Sequence, residues 1–217
     1  WMLLTSLKTG SEALAFPPTL LPVAPQWGNY AEAWSAAPFA RYFGNTVLVA
    51  GIVTLTVVVT ALFAGYAFGM LEFPGRGAIF ALYLSTMMIP FEVVLIPNFL
   101  LISRLGWYDS YHALIVPWAS NVFAVFLVTQ LLRTLPRDFL EAAQLDGCTH
   151  WQFMWKIAAP LARPALATAG LFAFLGSWNS LLWPLLVTES DAMRPIEVGL
   201  RYFVVAEGPR PHLLMAA

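Results

Sequence analysis

Long apolar runs separated by short polar stretches dominate this sequence. Four of them are long enough to matter for membrane insertion: 42–71, 78–103, 110–132 and 164–188. Glu92 and His112 are the only acidic or basic side chains within these runs. Since a helix needs about 20 apolar residues to cross the hydrocarbon core of a bilayer, the pattern predicts four membrane-spanning helices.

The stretch 47–60 is rich in β-branched residues, so a β-strand is the alternative there. Its length argues against a strand, because strands usually contain about 4–8 residues. It also lacks the alternation of apolar and polar positions that is typical of a membrane β-barrel strand. We therefore interpret the run as helical.

Composition supports a lipid environment along the whole chain. Hydrophobic residues make up 59% of the 217 residues and charged residues only 11%, whereas soluble domains carry about 25% charged residues. The net charge of −1 gives no indication of nucleic-acid binding, and a single cysteine, Cys148, excludes an internal disulfide. The predicted fold class is an all-α polytopic membrane protein, a helical bundle.

The stretches outside the four runs read as connectors and chain ends. Residues 1–7 resemble the end of an earlier span, and 8–41 form a proline-rich connector with a short helix around 30–35. Residues 212–217 resemble the start of another apolar segment. We expect partial spans at both ends of the chain. The positive-charge rule leans toward a cytoplasmic location for 133–163.

The segment 133–163 begins with signals for a short helix. Asp138 is placed to cap it, with Glu141 three residues on, as in a capping box. Gly147 is a natural left-handed stop for this helix. Thr149 and Gln152 then form a second box, T-x-x-Q, that starts another helix.

The second helix of this segment is apolar on one side and is predicted to end at Pro160. It is too short and too polar to span a bilayer, yet too apolar for a free loop. Two alternatives remain from the residues alone. The helix pair either lies in the membrane interface or docks onto another protein. The apolar side chains are Trp151, Met154, Trp155 and Ile157.

A spaced motif within 133–163 resembles the EAA signature of permeases of ATP-binding-cassette (ABC) importers. Glu141-Ala142-Ala143 is followed at the family's spacing by Gly147, Ile157 and Pro160. The resemblance implies that 133–163 is a cytoplasmic coupling segment, which in that family sits in a groove of the ATPase subunit. Ala142 and Ala143 would be contact surface, as would Asp146.

Further stretches resemble the carbohydrate branch of this family, in particular the maltose-type second permease. They include 67–76, 88–90, 105–106, 130–136, 160–167, and 177–179 together with 183–185. The resemblance implies a single transmembrane permease domain over 1–217, of the type I importer class, with six spans in the full protein. It also implies a location in the bacterial cytoplasmic (inner) membrane.

Glu141 carries the most specific implied role. In the family, the matching glutamate meets a basic residue of the ATPase subunit. A capping role within its own helix is compatible with this. For Asp146, an ion pair with Arg137 and a solvated carboxylate are equal alternatives.

Polar and aromatic residues within the spans are candidates for a translocation path, because polar groups there usually face the bundle interior or water. A helix-joining role for the amides is the alternative. Glu92 lies between Pro90 and Pro97, where a structural role is equally plausible and where the span should be kinked. The candidates are Glu92, Asn98, Asn121, Gln130, Trp118, Trp178 and Asn179.

The sequence contains no motif that indicates a nucleotide-binding, metal or catalytic site in this chain. It contains no phosphate-binding loop motif of the form G-x-x-x-x-G-K-[ST], no metal-ligand spacing and no catalytic cluster. The resemblance implies that ATP and Mg²⁺ bind partner subunits, and that the partners are a second permease, two ATPase subunits and an extracytoplasmic solute-binding protein. The implied cargo is a sugar, with glycerol phosphate or a polyol as alternatives and an ion-coupled secondary transporter as a rival class.

Overall fold

A computed structural model describes residues 1–136, 138–201, 203 and 210–216. The chain divides into two compact units, one formed by 1–47 with 180–217 and the other by 48–179. Within the described residues every regular element is helical. The α-helices are α1 (Met2–Ser6), α2 (Gly10–Ala13), α3 (Gly28–Ala36), α4 (Phe39–Met70), α5 (Arg76–Ser85), α6 (Phe91–Arg104), α7 (Tyr111–Ile115), α8 (Val122–Arg133), α9 (Asp138–Leu145), α10 (His150–Phe153), α11 (Ala159–Leu161), α12 (Arg163–Trp178), α13 (Leu182–Val187), α14 (Ile196–Leu200) and α15 (Pro211–Leu214).

Helix α4 occupies the first predicted span, 42–71. It is 32 residues long and apolar enough to cross a membrane. The helical run Tyr111–Arg133 also passes this test and occupies the predicted span 110–132. Within that run the chain leaves the helix at Ala119–Asn121, and the side chain of Asn121 caps α8.

The predicted span 78–103 is a bent pair of helices. A 3₁₀ turn, Thr86–Met88, follows α5, and the axes of Arg76–Met88 and Phe91–Arg104 differ by 98°. The break falls at Pro90, because a proline disfavours helical backbone in the residue before it. That residue, Ile89, is extended. Pro97 lies inside α6, which continues to Arg104.

The predicted span 164–188 is divided by a break. Helix α12 ends at Trp178 and α13 begins only at Leu182. A continuous helix would place the ring of Pro184 against the carbonyl of Ser180 and leave that carbonyl without its donor. Restarting the helix at Leu182 puts Pro184 in a first turn, where a missing N–H costs little.

Close approach between helices builds the unit 48–179. A Cβ on Gly65 of α4 would lie 2.5 Å from Cγ1 of Val128 on α8, and a Cβ on Gly170 of α12 would lie 3.2 Å from Cγ2 of Val58. Helix α12 also packs against α8. Small residues allow such backbone contacts in membrane helices, where van der Waals packing stabilises association. The buried side chains between these helices include Val53, Val57, Ala61, Leu62 and Val125.

The unit of 1–47 and 180–217 has its own apolar core. The rings of Phe39 and Phe203 stack with centroids 5.6 Å apart, and Tyr42 meets Phe39 edge-on. Leu213 of α15 completes the cluster, which also contains Ala33 of α3. Helix α3 occupies the short helix predicted around 30–35, and α15 packs against α1 and α3.

Candidate functional site

The first helix of the segment 133–163 begins at Asp138 itself. The interpretation of Asp138 as the N-cap is therefore wrong, because Asp138 is the first helical residue. The alternative pairing of Asp146 with Arg137 involves a residue outside the described ones. Helix α9 ends at Leu145.

Gly147 makes the predicted left-handed turn after α9. Its φ is +78°, a backbone region that residues with a Cβ adopt only with strain. The amide of Cys148 donates to the carbonyl of Ala143 at 2.8 Å, and the amide of Gly147 donates to that of Gln144 at 3.0 Å. This pair of bonds is a Schellman motif, which satisfies the last carbonyls of the helix.

The predicted capping box at the start of the second helix is confirmed. The amide of Gln152 donates to Oγ1 of Thr149 at 3.3 Å, and the amide of Thr149 donates to Oε1 of Gln152 at 3.0 Å. These reciprocal bonds satisfy two donors that a helix start leaves unpaired. They fix the direction in which α10 leaves the turn.

The prediction that Pro160 ends this helix is wrong. The helical run His150–Leu161 continues past Pro160 through a π-helical turn, Met154–Ala158. In a π-helical turn each amide donates to the carbonyl five residues back instead of four. This changes the hydrogen bonding just before Pro160, so the helix can include a proline that a regular α-helix would not accommodate without a kink. The chain then bends by 75° into α12, at Ala162.

The residues of the EAA-like motif present an exposed surface. Glu141, Ala142, Asp146 and Gly147 are exposed, and Ala143 is partly buried. Ile157 and Pro160 are partly buried on the second helix. Within the part of the chain that the structure describes, no side chain pairs with the Glu141 carboxylate. The exposed residues of α9 therefore include the carboxylates of Asp138 and Glu141 and the apolar side chains of Phe139 and Leu145.

The second helix of the segment is held against α4. Oη of Tyr66 lies 2.9 Å from Nδ1 of His150. The ring of Phe63 stacks on Trp151 with centroids 5.7 Å apart and meets Trp155 edge-on at 6.1 Å. Aromatic pairs of this kind stabilise a contact beyond the area they bury. The second helix of the segment is thus joined to α4 by both packing and a hydrogen bond.

A groove of about 910 Å³ separates α9 from the end of α4 and the turn that follows. Its walls include Glu72, Arg76, Arg133, Glu141 and His150. Both arginines are oriented by backbone carbonyls, since Arg76 donates to Leu71 O at 2.7 Å and Arg133 to Phe68 O at 3.3 Å. Among the described residues, no group of three or more His, Cys, Asp or Glu side chains is placed to hold a metal ion.

The candidates for a translocation path are distributed over α6, α8 and α12 and their ends. Oδ1 of Asn121 accepts from the amide of Ala124 at 3.0 Å, and Nδ2 of Asn179 donates to Leu175 O at 2.9 Å. These two amides therefore have local structural roles in addition to any role in a path. Glu92 is exposed in the first turn of α6, Asn98 is partly buried on the same helix, and Gln130 is exposed on α8.

The two tryptophans of that set each pack on a neighbouring phenylalanine. Trp118 lies 5.2 Å from Phe91 and Trp178 lies 5.4 Å from Phe174, measured between ring centroids. Trp118 and Phe91 come from different segments, so this pair is a contact between distant parts of the chain. A path role for the whole set stays a prediction.

Sequence reasoning missed Tyr66 and His150. They lie 84 positions apart, and neither belongs to a recognisable motif. A weak signal exists for His150 alone, since it immediately follows the Thr149 cap and must therefore stand at the start of a helix. Its partner on α4 becomes visible only when the two helices are packed.

Three comparisons place this structure among known proteins. The profile of the family described as "Binding-protein-dependent transport system inner membrane component" matches residues 58–208. The arabinooligosaccharides transport system permease protein AraQ of Bacillus subtilis is 34% identical over 218 residues, which covers 99% of this chain and 78% of AraQ.

A second relative is named for a different cargo. The sn-glycerol-3-phosphate transport system permease protein UgpE of Yersinia enterocolitica is 32% identical over 204 residues, covering 91% of this chain and 73% of UgpE. The crystal structure of a bacterial ABC transporter involved in the import of the acidic polysaccharide alginate matches with a TM-score of 0.88. That match covers 100% of this chain and 81% of the solved chain at 23% identity, and it shows the fold alone.

Proposed function

The chain belongs to the family of inner membrane components of binding-protein-dependent transport systems, and we propose that it forms half of the translocation pathway for a carbohydrate. It is a transport permease rather than an enzyme. Under this proposal ATP and Mg²⁺ bind partner ATPase subunits, and this chain contributes the coupling segment that receives their motion.

The observation that carries the proposal is that the segment 133–163 combines an exposed motif with a firm attachment to a span. Its first helix, α9, exposes Glu141 and Ala142. Its second helix is joined to α4 through Tyr66 and His150. A segment that couples a soluble motor to a membrane helix needs both a free docking face and a firm attachment to the span.

Glu141 is the proposed contact with a basic side chain of the ATPase subunit. A carboxylate on an exposed helix face retains its hydration until a partner cation replaces it, and the resulting charge-assisted bond is stronger than a neutral one. Ala142 and Ala143 add no bulk beside it, so a partner backbone can approach closely. Gly147 shapes the end of that docking face.

The proposed assembly contains a second permease, two ATPase subunits and an extracytoplasmic solute-binding protein. The family description supports an inner membrane location and dependence on a binding protein. We propose that 133–163 lies on the cytoplasmic side of a bacterial inner membrane. Alternation of the cavity between the two sides would follow from ATP-driven closure of the ATPase pair.

The proposed cargo is a neutral oligosaccharide, with glycerol phosphate as the second candidate. By their names, AraQ belongs to an arabinooligosaccharide transport system and UgpE to an sn-glycerol-3-phosphate transport system. Aromatic faces suit the apolar faces of sugar rings, which favours the sugar if Trp118 and Trp178 line the path. Glu92 on α6 would repel an anionic cargo that passed near it.

The test is a reconstitution of the full-length protein with its partner subunits and binding protein in proteoliposomes. Glu141→Lys should abolish ATP-driven uptake and the stimulation of hydrolysis by binding protein, because a lysine would face the partner cation. The matched control is Glu32→Lys, which reverses an exposed charge on α3 whose only described ion pair, with Arg210, is 3.9 Å long. Exposed pairs of this kind contribute little, so the control should transport normally.

Unchanged uptake in Glu141→Lys would contradict the proposed role of the carboxylate. Co-purification of the ATPase subunit separates a failure to assemble from a loss of coupling in an assembled complex. Comparison of arabinotriose, maltose and glycerol 3-phosphate as labelled cargo in the same vesicles then separates the two candidate cargo classes.

A further inference from the structure

We infer that His150 is a positioning residue that joins both coupling helices to α4 through the Tyr66 hydroxyl. The inference rests on the proposed function, since it concerns how motion of the docking face would reach the membrane span. It assigns a transmitting role to two residues that lie outside the EAA-like motif.

The imidazole of His150 contacts three helices at once. His150 is the first residue of α10. Its Nδ1 lies 2.9 Å from Tyr66 Oη on α4, and its Nε2 lies 3.4 Å from Gln144 Nε2 on α9. A neutral imidazole has one donor and one acceptor nitrogen. With the Gln144 amide donating to Nε2, the Nδ1–H group donates to Tyr66, and each polar group has a partner.

The geometry restricts movement of His150 relative to α10. Thr149 and Gln152 close a capping box that holds the backbone of His150 at the helix start, and the contacts with Tyr66 and Gln144 restrict where its ring can lie. The turn at Gly147 is the covalent link between α9 and α10, and the Gln144 contact spans that turn. A displacement of α9 by a docked partner would therefore be passed to α4 through this ring.

The aromatic ring of Tyr66 and its hydroxyl make different contacts. The ring of Tyr66 lies 6.3 Å from the ring of Phe153, and Tyr66 is buried. Replacement by phenylalanine keeps this aromatic contact and removes only the hydroxyl. The substitution Tyr66→Phe thus isolates the hydrogen bond from the core, which makes the inference testable without unfolding the protein.

The experiment uses the reconstituted full-length complex and measures labelled arabinotriose or glycerol 3-phosphate imported per ATP hydrolysed. Tyr66→Phe and His150→Phe should each lower this ratio about fivefold, the factor that one hydrogen bond contributes to an equilibrium. The double variant should be no worse than His150→Phe alone, because His150→Phe has already removed the bond that Tyr66→Phe removes. The KM for ATP should stay unchanged, since nucleotide binds elsewhere.

The matched control is Thr56→Val on α4. The Thr56 hydroxyl donates only to carbonyls of its own helix, at 3.0 Å to Ile52 and 2.9 Å to Val53, so its loss should leave the ratio unchanged. A wild-type ratio in Tyr66→Phe, or additive losses in the double variant, would overturn the inference. If the wild-type complex imports nothing in response to ATP, the proposed function itself fails, and this outcome is distinguishable because it precedes any substitution.

Discussion

A Cβ on Gly65 would lie 2.5 Å from Cγ1 and 2.8 Å from Cβ of Val128, so α4 and α8 meet with almost no space between them. One turn further along, a Cβ on Gly69 would lie 3.0 Å from Cβ of Leu132. Glycines four apart allow two membrane helices to approach at backbone distance. Tyr66, which contacts His150 at the start of α10, lies between these two glycines along α4.

Gly65→Ala should destabilise the protein by about 1–3 kcal/mol, the usual cost of overpacking a close contact. Val128 is β-branched and cannot rotate away easily. The control is Gly51→Ala on the same helix, where no atom lies within 4 Å of the added Cβ. We expect the control to be neutral or stabilising because alanine favours helix over glycine. Thermal unfolding in detergent checks both, and equal midpoints for the two variants would contradict the close contact.

Gly147→Ala should lower coupling and local stability for a different reason. The space around Gly147 is open, with no atom within 4 Å of an added Cβ, so the cost comes from its φ of +78° alone. A left-handed backbone with a Cβ costs about 1–2 kcal/mol. Gly147→Asn should be milder, since asparagine tolerates this region. Amide exchange across 145–150 measures the effect, and identical exchange in Gly147→Ala and wild type would refute it.

Asn45→Asp should loosen the stretch 191–196 in the unit of 1–47 and 180–217. The buried Asn45 amide donates to Ala192 O at 2.9 Å and to Arg194 O at 3.0 Å. A carboxylate would instead face both carbonyls, and leaving buried polar groups unpaired costs about 1–3 kcal/mol.

Hydrogen exchange of peptides covering 191–199 tests this expectation. Gln26→Glu is the control, because that exposed amide bonds only Ala24 O nearby and its loss should change little. Equal exchange rates in Asn45→Asp and the control would show that the amide does not hold the stretch.

Glu12 should titrate below its usual range. The amides of Thr9 and Val23 each donate to its carboxylate at 3.0 Å, and these bonds lower the pKa of Glu12 in the folded protein. The stability they contribute is present above the unfolded pKa of about 4.3. It is lost as pH falls through the lower folded pKa.

The Val23 amide chemical shift, followed by NMR against pH, reports this titration. Its midpoint should lie below the usual glutamate value, and Glu12→Gln should remove the transition. A midpoint at or above the usual value would contradict the assigned hydrogen bonds.

Local signals in the sequence predicted local structure well. Thr149 and Gln152 are three residues apart and form the expected box, because a capping box depends only on near neighbours. Gly147 likewise takes the left-handed turn. The apolar runs predicted an all-helical membrane fold, since run length and hydrophobicity are properties of each segment alone.

Contacts between distant segments could not be predicted in this way. Tyr66 and His150 meet because α4 and α10 pack together, and no spacing rule encodes a partner 84 positions away. The prediction that the helix ends at Pro160 failed for a related reason. A proline normally stops a helix, but the π-helical turn at Met154–Ala158 changes the hydrogen bonding ahead of it, and sequence alone gave no sign of that turn.

Photo-crosslinking from Cys148 tests the central claim, docking of 133–163 on an ATPase subunit, most directly. Cys148 is the single cysteine of this chain and adjoins the Gly147 turn. A maleimide–benzophenone attached there, in a full-length protein with no other cysteine, should give an adduct with the ATPase subunit in the assembled complex. An adduct only with lipid or with the solute-binding protein would place the segment elsewhere and contradict the account.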